Sequence, residues 1–127
     1  MLNYFDTPIT EISDAELKKF GVQILVKRED MNHPKVSGNK WWKLKYNLEE
    51  AKRQNQKTLL TFGGAYSNHI YATAAAAQEL GLKSIGIIRG EKVLPLNETL
   101  AFAENCGMEL HFVSREEFRL KNENQFL

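Results

Sequence analysis

The chain has 127 residues, enough for one hydrophobic core and too few for two full domains. Its hydrophobic content of 43% and charged content of 26% are typical of a globular protein in water. The formal net charge of +1 gives no electrostatic reason to bind nucleic acid or an anionic membrane surface, and neither is expected as a partner.

Nothing in the sequence points to export, to a membrane or to a metal. Residues 1–6 lack the basic start and apolar stretch of a signal peptide. No apolar run approaches the roughly 18–20 residues that span a membrane. The only cysteine, Cys106, excludes an internal disulfide and is expected to be a small structural residue at a helix end. It has no partner cysteine and the histidines lie in unrelated settings, so we expect no metal site and a cytoplasmic protein.

The first part of the chain is predicted to hold an arm, a short helix, a strand and a longer helix. Ser13 and Glu16 have the spacing of a capping box, which predicts a short helix at this point. The branched apolar stretch 23–27 predicts a strand. A longer helix is predicted over 40–54, because apolar residues recur there every three or four positions.

The remainder of the chain is predicted to alternate between strands and helices. Gly63-Gly64 is expected to break the first of these strands, Gly81 to end a helix and Asn97 to cap another. Ser114 opens a second capping box, which predicts a last helix running toward Phe126. In chain order, strands are predicted over 58–62, 83–88 and 109–113, and helices over 70–80 and 98–105.

This alternation predicts an α/β fold, an open and mainly parallel sheet with helices on both faces in three layers. We expect residues 1–45 to form the arm, the first strand and the start of the longer helix, as part of a larger domain. Residues 46–127 are expected to form a small and incomplete α/β domain. Ligands of such sheets lie beyond the carboxyl ends of the strands, where Gly63–His69 follows the strand 58–62.

Two polar turns carry the candidate chemistry. Ser37–Lys40 offers a lysine amine at a helix start, beside the amide of Asn39, which can hydrogen-bond a neighbouring strand or a ligand. Gly63–His69 offers backbone N–H groups, a hydroxyl, an amide and an imidazole. An amine next to an anion-binding turn is what a protein needs to hold pyridoxal phosphate and to grip a phosphate or an amino-acid carboxylate. Taken alone, Lys40 is more simply explained as a solvated lysine early in a helix.

Each further residue of these turns also has a structural alternative. Lys43 lies one helical turn after Lys40 and suits a phosphate, although it too could lie on a solvated face. Ser67 and Asn68 lie where free N–H groups and the helix dipole favour an anion, but serine commonly caps a helix. His69 could contact a ligand or be a hydrogen-bonded structural residue.

The two tryptophans after Lys40 are expected to have different environments. Trp41 is expected to pack into the core. For Trp42 the core and a ligand are about equally plausible partners.

Three blocks of the sequence stand out together: 26–30 (VKRED), 37–44 (SGNKWWKL) and 63–69 (GGAYSNH). In this order and spacing they resemble the 1-aminocyclopropane-1-carboxylate deaminase and D-cysteine desulfhydrase family, and the resemblance covers nearly the whole chain. Members of this family are pyridoxal-phosphate enzymes of fold type II, the fold of the tryptophan synthase β-subunit.

The resemblance implies a role for each site residue. Lys40 would bind pyridoxal phosphate covalently and act as a base, and Lys43 would lie on the phosphate side of the cofactor. Asn39 and Asn68 would bind the cofactor, Asn68 through its phenolic oxygen. Ser67 would bind the substrate carboxylate, with Asn68 and His69 beside it. The implied substrate is a small amino acid, either 1-aminocyclopropane-1-carboxylate or D-cysteine.

The chain departs from this family in two respects. Trp42 stands where the family often has an arginine, so the usual contacts of that position are not assured. Family members are also roughly twice this length or more, and the part beyond residue 127 would carry the phosphate loop. We therefore expect an N-terminal portion with half an active site and little or no turnover on its own.

Two other interpretations stay open at this point. The chain could be a non-catalytic α/β module that binds an anionic ligand at Gly63–His69. It could also self-associate through uncovered strand edges and helix faces, and a homo-oligomer is expected on that ground.

Overall fold

The computed structural model describes residues 2–123 and 126. Within this part of the chain, short loops connect alternating strands and helices. The elements are β1 (Ile9–Ile12), α1 (Ala15–Lys19), β2 (Ile24–Lys27), a 3-10 turn (Glu29–Met31), α2 (Asn39–Arg53), β3 (Thr58–Gly64), α3 (Asn68–Leu80), β4 (Lys83–Arg89), α4 (Glu98–Asn105), β5 (Met108–Val113) and α5 (Arg115–Arg119).

The strands form two separate sheets. β3, β4 and β5 make a parallel sheet with β4 in the centre, as the alternation of strands and helices predicts. The strand predicted over 23–27 does not belong to this sheet. It is β2, and it pairs antiparallel with β1, from Ile9 opposite Lys27 to Ile12 opposite Ile24. β1 was not predicted, because all four of its residues are exposed and no buried face marks it.

Helices α3 and α4 cover one face of the parallel sheet. Ile70 of α3 and Leu100 of α4 pack into one buried cluster with Ile88 of β4 and Met108 of β5. Ile70 and Ile88 are fully buried. This cluster fixes α3, and with it the turn that joins β3 to α3.

The other face and the outer layer complete the α/β arrangement expected from the sequence. On the opposite face of the sheet, Phe62 of β3 meets Phe118 of α5 edge to face, with ring centroids 6.1 Å apart. α2 packs against the outer side of α3, where Trp41 and Leu44 join Ala76 in a second buried cluster. Helix α2, which contains Lys40, therefore packs against α3, the helix that follows the polar turn Gly63–His69.

The capping predictions hold in part. Gly81 ends α3 in a left-handed conformation, and Asn97 caps α4. Ser114 forms the predicted capping box with Glu117. The cap of α1 is not Ser13 but Asp14, whose carboxylate accepts hydrogen bonds from two backbone N–H groups of the first turn.

Two predicted boundaries are wrong. β3 does not break at Gly63-Gly64 but continues through both, because they stay in register with Ile88 and Arg89 of β4. The last helix does not run toward Phe126 but ends at Arg119. Positions 124 and 125 of that predicted helix lie outside the described residues.

Within the described residues, no helix is both long enough and apolar enough to cross a membrane.

Candidate functional site

The turn between β3 and α3 is built by close packing of a glycine against a helix cap. A Cβ atom at Gly63 would lie 2.5 Å from Ile70 Cγ1 and 2.9 Å from Ser67 Oγ, distances that only a hydrogen can occupy. Neither Gly63 nor Gly64 has a positive φ. Close approach, and not an unusual backbone conformation, is therefore what requires glycine at position 63.

Ser67 is the N-cap of α3. Its Oγ accepts hydrogen bonds from the backbone N–H groups of His69, at 3.2 Å, and Ile70, at 3.4 Å. The structural alternative considered for Ser67 is thus correct, and it leaves the hydroxyl hydrogen free to donate to a ligand oxygen. Asn68 is the first residue of α3 and is exposed.

A second asparagine holds the same turn from the next helix. Asn97 Oδ1 accepts from the N–H of Leu100, and its Nδ2 donates to the carbonyl of Ala65 at 3.1 Å. One side chain thereby caps α4 and fixes the middle of the polar turn. The sequence indicated only the cap, because the contact with Ala65 spans 32 positions.

Lys40 lies in the first turn of α2 and is partly buried. Its Nζ donates to Oδ1 of the neighbouring Asn39 at 2.6 Å, which orients the amine. Lys43 follows one turn later on the same helix and is exposed. The partner of Asn39 in the structure is therefore Lys40 itself.

The two helices that begin at the predicted turns, α2 and α3, pack against each other. Burial lowers the pKa of the His69 imidazole, and the charges of Lys40 and Lys43 lower it further. This imidazole is therefore neutral at neutral pH and lies close enough to both lysines to sense them. The structure thus places Lys40 and Lys43 on a helix that packs against α3, and their charges act on the His69 imidazole near the start of α3.

The tryptophans after Lys40 have different environments. Trp41 is buried, as predicted, and its Nε1 donates to the carbonyl of Asn3 at 3.0 Å. Trp42 is about half exposed, and its Nε1 donates to Glu29 Oε2 at 2.7 Å. Glu29 was not among the predicted site residues.

These donors suit pyridoxal phosphate. Its aldehyde needs a partly buried amine, its phosphate needs cations and N–H donors, and its phenolic oxygen needs a donor. Lys40 and Lys43 provide the amine and a cation, and the N-terminus of α3, which follows the carboxyl end of β3, provides N–H donors.

Comparison with known proteins decides the family. A family model described as pyridoxal-phosphate dependent enzyme matches residues 1–125. The chain belongs to this family. The resemblance drawn from the sequence is confirmed, and so are the family's cofactor and the fold type.

Individual relatives agree with this assignment. The chain is 37% identical over 103 residues to the mitochondrial bifunctional D-cysteine desulfhydrase/1-aminocyclopropane-1-carboxylate deaminase of Arabidopsis thaliana, covering 77% of this chain and 26% of the relative. It is 37% identical over 82 residues to the D-cysteine desulfhydrase of Yersinia pestis, covering 65% and 24%. The crystal structure of a 1-aminocyclopropane-1-carboxylate deaminase homologue superimposes with a TM-score of 0.73 at 29% identity, covering 86% and 33%. The chain thus spans about a quarter to a third of the length of the relatives it matches.

A metal site and a cysteine nucleophile would place other requirements on the described residues. They hold no cluster of three or more His, Cys, Asp or Glu side chains that could bind a metal ion. Burial raises the pKa of the Cys106 thiol, which opposes a role as nucleophile and agrees with the structural role expected for it.

Proposed function

We propose that this chain supplies the lysine and the carboxylate-binding turn of a pyridoxal-phosphate enzyme that deaminates a small amino acid. The observation that carries this proposal is the packing of α2, which bears Lys40 and Lys43, against α3, which starts at the Ser67–His69 turn. This turn follows the carboxyl end of β3, where ligands bind in α/β folds. The named activities of the relatives suggest 1-aminocyclopropane-1-carboxylate or D-cysteine as substrate.

Each site residue has a proposed role that follows from its position. Lys40 Nζ, oriented by Asn39, binds the cofactor and afterwards moves a proton at the substrate carbon. Lys43 neutralises the cofactor phosphate. Asn68 donates its amide to the phenolic oxygen of the cofactor. When bound, pyridoxal phosphate supplies an electron sink for the carbanion at the substrate.

The Ser67–His69 turn is proposed to bind the substrate. The Ser67 hydroxyl can donate to a substrate carboxylate while its oxygen still caps α3. The neutral His69 beside it can donate or accept a hydrogen bond without adding charge. The N–H groups at the start of α3 favour the negative carboxylate through the helix dipole.

The proposal also includes the domain arrangement, the cellular location and the association state of the chain. We place residues 1–45 with a larger domain and residues 46–127 in a small α/β domain. We also propose a cytoplasmic location and self-association. Self-association is supported by exposed apolar side chains on and around the β1–β2 pair, including Ile9, Phe20 and Leu25. Sedimentation at several concentrations tests it.

A titration with pyridoxal phosphate tests the role of Lys40. In the natural protein carrying this sequence, the cofactor should develop visible absorbance when it bonds to a lysine, and ammonia should be released from one of the two substrates. Lys40→Ala should lose both, whereas Lys52→Ala, at the exposed far end of α2, should keep both.

Two results would oppose the proposal. Colour that persists in Lys40→Ala would assign the cofactor to another lysine. Binding of phosphate without colour in the unmodified protein would favour the non-catalytic anion-binding module instead.

A further inference from the structure

Glu29 collects hydrogen bonds from three separate parts of the chain. Its Oε1 accepts from Tyr4 Oη at 3.2 Å and from Thr7 Oγ1 at 3.1 Å. Its Oε2 accepts from Asn32 Nδ2 at 3.2 Å and from Trp42 Nε1 at 2.7 Å. The donors belong to the N-terminal arm, the loop before α2, and α2 itself.

Asn32 connects this network to Gly38, the N-cap residue of α2. It is fully buried. Its Oδ1 accepts from the N–H of Gly38 at 3.0 Å, and its Nδ2 donates to the carbonyl of Gly38 at 3.2 Å. The same Gly38 N–H also reaches the carbonyl of Glu29, at 2.9 Å. Both backbone groups of Gly38 are therefore held from outside the helix.

This arrangement replaces an ordinary helix cap. Gly38 is the N-cap of α2, and it has a φ of 63° and a ψ of −141°, a conformation that favours glycine. No side-chain cap forms at this end of α2, whose residues are all within the described part of the chain. The start of α2 therefore depends on Glu29 and Asn32 for its position.

We propose that Glu29, Asn32 and Trp42 act as positioning residues that fix Lys40 for the cofactor. This inference rests on the proposed function of Lys40, which lies two residues after the clamped Gly38. Trp42 links α2 directly to the network, because it lies on the first turn of α2. Its N–H donates to the Glu29 carboxylate, which also accepts from Asn32.

The network also gives a role to Trp42, which stands where the family often has an arginine. Its indole N–H is the shortest of the four side-chain hydrogen bonds to Glu29. That hydrogen bond is the main reason why the pKa of Glu29 is lowered, so the carboxylate stays ionised and accepts only. Catalytic groups tolerate little displacement, since a misplacement of about 1 Å can cost roughly 100-fold in rate.

Two substitutions separate positioning from mere stability. Trp42→Phe keeps an aromatic side chain but removes the indole N–H donor together with the five-membered ring. Asn32→Asp keeps the shape but turns the donor that faces Glu29 and the Gly38 carbonyl into an oxygen. Glu50→Gln is the matched control, because Glu50 lies on the exposed face of α2 and pairs with Arg53. All variants are compared at a temperature where circular dichroism shows them fully folded.

The first readout needs no cofactor. Amide hydrogen exchange is measured on the natural protein carrying this sequence, over the peptide that contains residues 38–41. We expect faster exchange in Trp42→Phe and Asn32→Asp and no change in Glu50→Gln. Unchanged exchange in Trp42→Phe, the substitution at the half-exposed position, would overturn the proposal that this network fixes the start of α2.

The second readout is the affinity for pyridoxal phosphate, taken from its visible absorbance. Loss of one hydrogen bond to a charged group corresponds to roughly tenfold weaker binding. We expect that loss in both variants and not in the control. Wild-type affinity in both, within twofold, would overturn the inference. Absence of colour in the unmodified protein would instead overturn the proposed function of Lys40, so the two failures are distinguishable.

Discussion

The glycine pair at the end of β3 allows a sharp test of how the polar turn is built. At Gly63 an added methyl group would meet Ile70 Cγ1 at 2.5 Å, Ser67 Oγ at 2.9 Å and Ile70 Cδ1 at 3.0 Å. Ile70 is fully buried and Ser67 is engaged as the cap of α3, so neither can move aside at low cost. We therefore expect Gly63→Ala to strain the core and the cap together.

The size of the effect follows from these contacts. Overpacking a filled core costs about 1–3 kcal/mol, and partial loss of a serine cap adds about 0.5 kcal/mol or more. Alanine also restricts the unfolded chain, which offsets about 0.4–1 kcal/mol. The free energy of unfolding of Gly63→Ala should fall by about 1–3 kcal/mol.

Gly64→Ala is the matched control. Its added methyl group would find only the guanidinium tip of Arg89, at 3.9 Å, which is ordinary contact with a flexible side chain. Both glycines lie in β3, and neither has a positive φ, so the unfolded-state gain is common to the two variants. The difference between them isolates the packing of the turn.

Urea unfolding followed by circular dichroism measures this difference. Gly64→Ala should unfold at the wild-type midpoint or slightly above it, with Gly63→Ala well below and the slope unchanged in both. Midpoints of the two variants that agree within error would refute the close approach of β3, Ser67 and Ile70.

Three further predictions concern other parts of the site and its surroundings. Asn97→Ala should lower the free energy of unfolding by about 0.5–2 kcal/mol, because it removes the α4 cap and the bond to Ala65, while Asn105→Ala at the exposed helix end should change it little. Folding lowers the pKa of His69 below its ordinary 6.5, so the unfolded chain takes up this proton first and stability falls as the pH drops below that value. His69→Gln should flatten this part of the pH profile of urea unfolding, and an identical profile in both proteins would contradict the lowered pKa. Cys106 should react with iodoacetamide more slowly in the folded protein than in urea, since burial raises its pKa, and equal rates would contradict that burial.

The parallel sheet could be predicted because its signals are local. Short apolar stretches indicated β3, β4 and β5, and Gly81 and Asn97 marked helix ends that the structure confirms. Only the reach of β3 through Gly63 and Gly64 was wrong, because pairing with β4 continues where propensity alone predicts a break.

The β1–β2 pair was not predictable in the same way. β1 is four residues long and fully exposed, so no alternation of buried and exposed residues marks it. Its partner β2 is recognisable as a strand, but whether it pairs parallel or antiparallel depends on contacts about 15 positions apart.

The candidate site was likewise predictable only where its signals are local in sequence. Motif spacing indicated Lys40, Ser67 and their neighbours, and the structure packs the two helices that begin at these turns, α2 and α3, against each other. The network around Glu29 joins residues up to 25 positions apart, and its buried Asn32 sits in a loop with no periodicity to indicate burial. Such contacts depend on the fold and cannot be read from local pattern.

The measurement that tests the account most directly is borohydride reduction with pyridoxal phosphate, followed by peptide mapping by mass. Reduction fixes the cofactor permanently to the lysine that holds it, and the other lysines of the chain serve as internal controls. The proposed function predicts a tag confined to the peptide that contains Lys40. A tag spread over many lysines, or confined to a lysine far from the Ser67–His69 turn, would contradict it.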